Sequence, residues 1–196
     1  MSEPPGVRAR NLRTVAALAA LFFLPLALAF YAYYGTGWRP PGRVNHGALI
    51  TPPRPLPALV LPRTAPGPAE AVAETFRGSW TLVYVGDGSC DEDCRRALIV
   101  MRQSRLGLGN DMTRVGRVWL VTGTCCAPEA DPGLVVLDAS GAAAGALLGL
   151  FPTAGREHSL FLVDPLGNLM MSYDARTNPR GLLDDLRKLL RLSHIG

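Results

Sequence analysis

Two cysteines four residues apart and one distant histidine carry the chemistry available to this 196-residue chain. Cys90-Asp91-Glu92-Asp93-Cys94 follows an apolar run that Gly86-Asp87-Gly88-Ser89 breaks. Thr81–Val85 reads as a buried strand. From Cys90 onward the spacing turns helical, with Leu98, Ile99, Met101, Leu106 and Leu108 set among Arg, Gln and Ser. Two thiols at the mouth of a helix form a reactive pair, because the partial positive charge of a helix start favours thiolate over thiol. Asp87, Asp91, Glu92 and Asp93 oppose that effect on the thiols while attracting cations. The same four residues also read as a solvated acidic turn.

Were both cysteines fully helical, their Cβ atoms would lie about 5–6 Å apart, too far for a disulfide, which needs about 3.5–4.5 Å. A metal bridging two thiolates relaxes that limit, since each metal–sulfur bond adds about 2.3 Å. Alternatively, Cys90 lies in the turn before the helix and swings onto Cys94. A plain structural disulfide of an oxidising compartment stands beside both readings. His158 adds an imidazole at the entry to a later strand. A histidine taken alone is usually structural or solvated, but with two thiolates at hand it completes a Cys₂His set. Such a set suits a soft ion, and Cu(I) is the natural candidate, with redox chemistry that zinc lacks.

The remaining candidates are weaker. Met101, Met170 and Met171 offer thioethers, but core packing is the expected role. His46 reads as solvated rather than as a ligand. Cys125 and Cys126 fall in the loop from Gly123 to Pro128, and adjacent cysteines bond to each other only by straining the peptide between them. They are expected to be free or available as a resolving thiol, outside the primary metal site. A Cys125→Ser, Cys126→Ser double variant should therefore keep most of its copper binding; loss of all binding would mean that the wrong pair had been chosen.

The elements that position these groups follow from periodicity. Arg117–Val121 reads as a second buried strand, Leu134–Leu137 as a short third, and Ala142–Leu150 as a small-residue helix. Ser159–Val163 and Leu169–Tyr173 make a hairpin around the turn signal Asp164-Pro165-Leu166-Gly167. Asn178-Pro179 caps a last helix, with Leu182, Leu183, Leu186, Leu189 and Leu190 on one face and Asp184, Asp185, Arg187 and Lys188 on the other. The order β-α-β-α-β-β-α, with a cysteine pair after the first strand, predicts an α/β thioredoxin-like domain over 69–196.

Ahead of it, Thr14–Tyr34 is an apolar run of 21 residues, long enough to cross a bilayer. Pro25 is tolerable there, and Tyr31, Tyr33, Tyr34 and Trp38 stand where an aromatic belt belongs. Residues 1–13, with Arg8, Arg10 and Arg13, read as a cytoplasmic tail by the positive-inside rule. Residues 35–68 are rich in Pro and Gly and read as a mostly irregular tether, although Asn45–Ile50 has the character of an edge strand opening the folded domain. A cleaved signal peptide is the alternative, with Ala27-Leu28-Ala29 as its cleavage site; the length of the run favours an uncleaved anchor. Lys188 is the only lysine among 20 basic residues, a usage associated with GC-rich bacterial genomes. The expected location is thus a bacterial inner membrane, crossed once, with the C-terminal domain in the periplasm. The net charge of +4 is half accounted for by the residues before the apolar run, a balance that gives no case for a nucleic-acid surface.

Those residues resemble the Sco/SenC family, membrane-anchored thioredoxin-fold copper chaperones that serve the dinuclear copper site of cytochrome c oxidase. The family carries Cys-Pro-x-x-Cys-Pro after its first core strand, and a distant His followed by Ser or Thr, an apolar strand and Asp-Pro-x-Gly. This chain has Cys90-Asp91-Glu92-Asp93-Cys94-Arg95 in the first place and His158-Ser159-Leu160-Phe161-Leu162-Val163-Asp164-Pro165-Leu166-Gly167 in the second. Asp91 and Arg95 stand where the family has prolines. The resemblance extends from about Asn45 to the C-terminus, together with the anchor. It implies a divergent, copper-binding assembly factor with Cys90, Cys94 and His158 as metal ligands and an oxidase subunit as partner. The residues by themselves leave a second reading open: a metal-independent thiol–disulfide oxidoreductase that uses Cys90 and Cys94 as a redox pair on thiol partner proteins.

Overall fold

The computed structural model describes residues 5–37, 44–64, 70–123 and 131–193. Two compact units, Met1–Arg43 and Val44–Gly196, divide the chain. The first holds a helix, α1 (Pro5–Phe30), continued by a π-helical turn at Tyr31–Gly35. Its 26 residues span about 39 Å at ~1.5 Å per residue, more than a hydrocarbon core of about 30 Å. The Arg10–Gly35 portion is long and apolar enough to cross a membrane. Tyr33 and Tyr34 stack edge to face at its end, with ring centres 4.8 Å apart. Trp38 lies outside the described residues.

The second unit is built on a six-stranded sheet in the order β1-β8-β7-β4-β5-β6. Its strands are β1 (Ala48–Pro55), β4 (Trp80–Gly86), β5 (Val115–Val121), β6 (Leu134–Asp138), β7 (Ser159–Val163) and β8 (Asn168–Asp174). A small separate ribbon pairs β2 (Val60–Leu61) with β3 (Glu70–Ala71), and α2 (Val72–Thr75) follows it. The remaining helices are α3 (Glu92–Leu106), α4 (Gly145–Leu148) and α5 (Pro179–Leu192). The expected β-α-β-α-β-β-α order runs through β4, α3, β5, α4, β7, β8 and α5. β6 is an added edge strand, parallel to β5.

β4 lies at the centre, parallel to β5 and antiparallel to β7. Its residues alternate between two cores, as a strand of period two must when both faces are covered. Trp80, Leu82 and Tyr84 join Cys94, Met101, Trp119, Leu182 and Leu186 on the α3 and α5 side. Val83 and Val85 join Leu120, Leu147, Phe151 and Phe161 on the other. Met101 and Met171 are fully packed in the first core, and Met170 rests against it. The methionines are thus packing residues, as expected.

Two stretches extend or correct the sequence reading. The edge strand expected at Asn45–Ile50 is present on β8, antiparallel, but runs over Ala48–Pro55, farther into the expected tether, and is broken by a register shift between Leu49 and Arg54. An edge strand needs only one row of hydrogen bonds, so Pro52, Pro53 and Pro55 are accommodated there. The helix expected over Ala142–Leu150 is a 3-10 turn at Ala142–Ala144 followed by the four residues of α4. No side chain caps either piece, and Gly141, Gly145 and Gly149 favour neither continuation nor length.

Candidate functional site

Cys90 and Cys94 are joined in a disulfide, with their Cα atoms 5.0 Å apart. The turn before the helix makes this possible. Cys90 precedes α3 with φ at +46°, a left-handed conformation rare for a side-chain-bearing residue. From there its sulfur turns back onto Cys94, the swing that the sequence left as one alternative. Asp91 is the N-cap, and its carboxylate accepts from the Cys94 backbone N–H at 2.9 Å. A helix start has free N–H groups to satisfy, and a short carboxylate does so directly. Proline could not take Asp91's capping role. Arg95 Nη1 donates to the Cys90 carbonyl at 3.2 Å, so both residues that replace the resembled motif's prolines brace this turn. Asp87 closes it from below: its carboxylate accepts from Ser89 N–H at 2.8 Å, a bond that holds this exposed carboxyl below the usual range.

The two sulfurs are unequal. Cys94 is 2% exposed and belongs to the core, whereas Cys90 is only partly buried. An incoming thiolate meets Cys90 first; attack there breaks the S–S bond and releases Cys94 as the leaving thiolate. The free Cys90 of a Cys94→Ser variant should therefore form a mixed disulfide with glutathione disulfide much faster than Cys94 of a Cys90→Ser variant. Mass spectrometry of timed samples checks this, and the reverse order would disprove the assignment.

His158 ends a 3-10 turn, Arg156–His158, that packs against α3. Tyr84 ties that turn to the central strand: its hydroxyl donates to the Glu157 carbonyl at 2.9 Å. Burial, and then the charges of Asp91, Asp93 and Glu157, push the Tyr84 phenol far above its ordinary range, so it stays a neutral donor. The His158 carbonyl accepts from Ala175 N–H at 2.9 Å, locking the turn to the end of β8. The imidazole Nε2 lies 2.8 Å from Arg176 Nη2, and Nδ1 is buried without a hydrogen-bond partner.

The helix carrying Cys94 and the turn carrying His158 are thus neighbours, while the imidazole itself is engaged with Arg176. Among the described residues no three His, Cys, Asp or Glu side chains converge as a metal cluster, and the two sulfurs are bonded to each other. The residue types present nevertheless fit a soft cation once the disulfide is reduced: two thiolates at one helix start, and an imidazole on the turn that packs against that helix. His46 is exposed, and only its backbone is engaged, donating to Asp185 Oδ2 at 2.7 Å. Cys125 and Cys126 lie outside the described residues. Among the described residues after β5, Thr122 N–H donates to the Gly86 carbonyl at 3.1 Å and a Cβ on Gly123 would overlap the Asp87 carboxylate.

Two polar pairings escaped the sequence reading, one at this site and one away from it on β5. Arg176 belongs to no motif, and its pairing with His158 spans 18 residues. Arg117 left a signal, an arginine inside an otherwise apolar strand, and it proves to be 2% exposed and paired with Asp131.

A dithiol–disulfide pair at the start of the first core helix, set on a central mixed sheet, defines a thioredoxin-like domain. The sequence pattern of the family described as transmembrane-like, thioredoxin-like, C-terminal domain matches residues 80–193. The chain belongs to that family. No curated protein matches it by sequence. Among solved structures, apo Sco1 from Thermus thermophilus is 18% identical, with a TM-score of 0.55 over 76% of this chain and 99% of that one. Yeast Sco1 with copper bound is 12% identical, with a TM-score of 0.61 over 72% of this chain and 95% of that one. BsSco, a member of the Sco family of cytochrome c oxidase assembly proteins in which a disulfide switch is identified, is 15% identical, with a TM-score of 0.54 over 74% and 96%. At these identities the likeness is one of fold, and it is the fold that the sequence resemblance implied.

Proposed function

We propose that this protein is a membrane-anchored, Sco-like copper carrier that serves the dinuclear copper site of cytochrome c oxidase. Cys90, Cys94 and His158 are its ligands. One observation carries the reading: Cys94 lies in the first turn of the helix against which the His158 turn packs, with Cys90 bonded to it from the turn before. Sco structures of the same fold, one of them with copper bound, support it. Reduction of the disulfide takes two electrons and two protons and yields two thiols. Loss of those protons to solvent leaves two thiolates for Cu(I), with the imidazole as third donor. Oxidation removes both thiolates at once, so disulfide formation and release of the cargo are one event.

The test is copper stoichiometry of the reduced full-length chain in detergent. One Cu(I) per chain supports the reading; no binding under reducing conditions overturns it. The closed Cys90–Cys94 disulfide favours a second reading, a thiol–disulfide oxidoreductase that needs no metal, and a protein that binds no copper but exchanges its disulfide with thiol partner proteins would establish it.

The orientation is tested separately. By the positive-inside rule, Arg8, Arg10 and Arg13 before the span support a thioredoxin-like domain on the periplasmic side of a bacterial inner membrane. A reporter enzyme active only outside the cytoplasm, fused after Gly196, should be active; an inactive fusion reverses the orientation.

A further inference from the structure

We infer that Arg176 locks His158 in a tautomer in which neither ring nitrogen is open to a cation, so that Arg176 has to move before the imidazole can serve as a ligand. The inference rests on the copper reading given above. A guanidinium has donors only. At 2.8 Å from Arg176 Nη2, Nε2 therefore accepts, and the single proton of the neutral ring sits on Nδ1. A cation approaching Nε2 meets a lone pair already engaged and a like charge beside it. A cation approaching Nδ1 requires the proton to move to Nε2, where it would face an N–H that is itself a donor. Either route needs the guanidinium to leave.

Arg176 is placed to do both jobs. It stands on the turn between β8 and α5, 43% exposed. Asp174 holds it, with Oδ1 accepting from the Arg176 backbone N–H at 2.9 Å and from Nε at 3.2 Å, and Oδ2 from Nη2 at 3.2 Å. That pairing raises the guanidinium pKa, and the charges of Asp93, beside Cys94, and of Glu157, beside His158, add to it. The imidazole is largely enclosed, its side chain only 14% exposed, and Gly155, at φ +67°, leaves free the space beside Nε2 that a Cβ would fill. Two carboxylates face the ring without hydrogen-bonding it, Glu157 Oε1 at 3.3 Å from Nδ1 and Asp174 Oδ2 at 3.9 Å from Nε2, both farther than Arg176 Nη2. Asp174 is a ready seat for the guanidinium once Nε2 is vacated.

The test has two arms on the full-length chain in detergent, native and Arg176→Ala. In the metal-free disulfide form with ¹⁵N-labelled histidine, at mildly alkaline pH, the native protein should show His158 as the Nδ1–H tautomer alone, and the variant a mixture of both tautomers. In the reduced form, Cu(I) titrated against a competing chelator should bind the variant about tenfold more tightly, the worth of roughly one hydrogen bond to a charged group. A native His158 carrying its proton on Nε2, or a variant that binds Cu(I) equally or less tightly, overturns the lock. Equal binding by both proteins removes the lock but leaves the copper carrier standing; no binding by either removes the carrier and the lock with it.

Discussion

Cys90→Ser and Cys94→Ser should each abolish Cu(I) binding by the reduced protein, while His158→Ala should weaken Cu(II) more than Cu(I). Two thiolates still hold the softer ion, though less tightly than with the imidazole, whereas one thiolate with an imidazole is a poor match for it. The single cysteine variants also lose the disulfide, so the fold has to be judged independently. α3 keeps its Asp91 cap and its buried face of Ala97, Met101 and Ser104 in either variant. The circular-dichroism spectrum should therefore change little while copper stoichiometry falls from one to none. The thiolate-to-copper absorption of the native protein gives a second readout. A Cys90→Ser protein that keeps one copper per chain with an unchanged spectrum would sink the assignment.

The second large effect is on stability, at Arg117. Its side chain is 2% exposed on β5, next to the central strand, and forms a double hydrogen bond with Asp131 at 2.6 and 3.0 Å, with a further bond to the Pro132 carbonyl at 2.7 Å. Arg117→Ala removes the donors and leaves Asp131, 17% exposed, without its close partner. Arg102 reaches the same carboxylate only at 3.8 Å from an exposed position. Breaking a buried pair from one side costs about 3–5 kcal/mol, and urea denaturation of the full-length chain measures it. An Arg117→Met, Asp131→Leu double change should recover much of the loss, because no buried charge is then left alone. A loss below about 1 kcal/mol in the single variant would show that the pair contributes no more than a surface ion pair.

The strands, the last helix and the apolar span were legible in the sequence because each is a local pattern. Thr81–Val85 is continuously apolar since β4 is covered on both faces. The leucines from Leu182 to Leu190 fall on one face of α5, and Asn178 with Pro179 marks its start, where the Asn178 side chain accepts from Gly181 N–H at 2.9 Å. Cys90, Cys94 and His158 stood out by residue type and spacing. Spacing alone left open whether Cys90 lay inside the helix or before it. Its left-handed backbone and the Asp91 cap decide that, and both depend on how the turn closes against Asp87. Likewise Asp185 reads as part of a polar helical face, but the fold buries it to 3%. There it receives His46 N–H, Gly47 N–H and the Tyr173 hydroxyl, partners up to 139 residues away. Arg176 meets His158 for the same reason. Periodicity reports which face of an element is apolar, but which polar groups meet across loops is set only when strands pair and turns close.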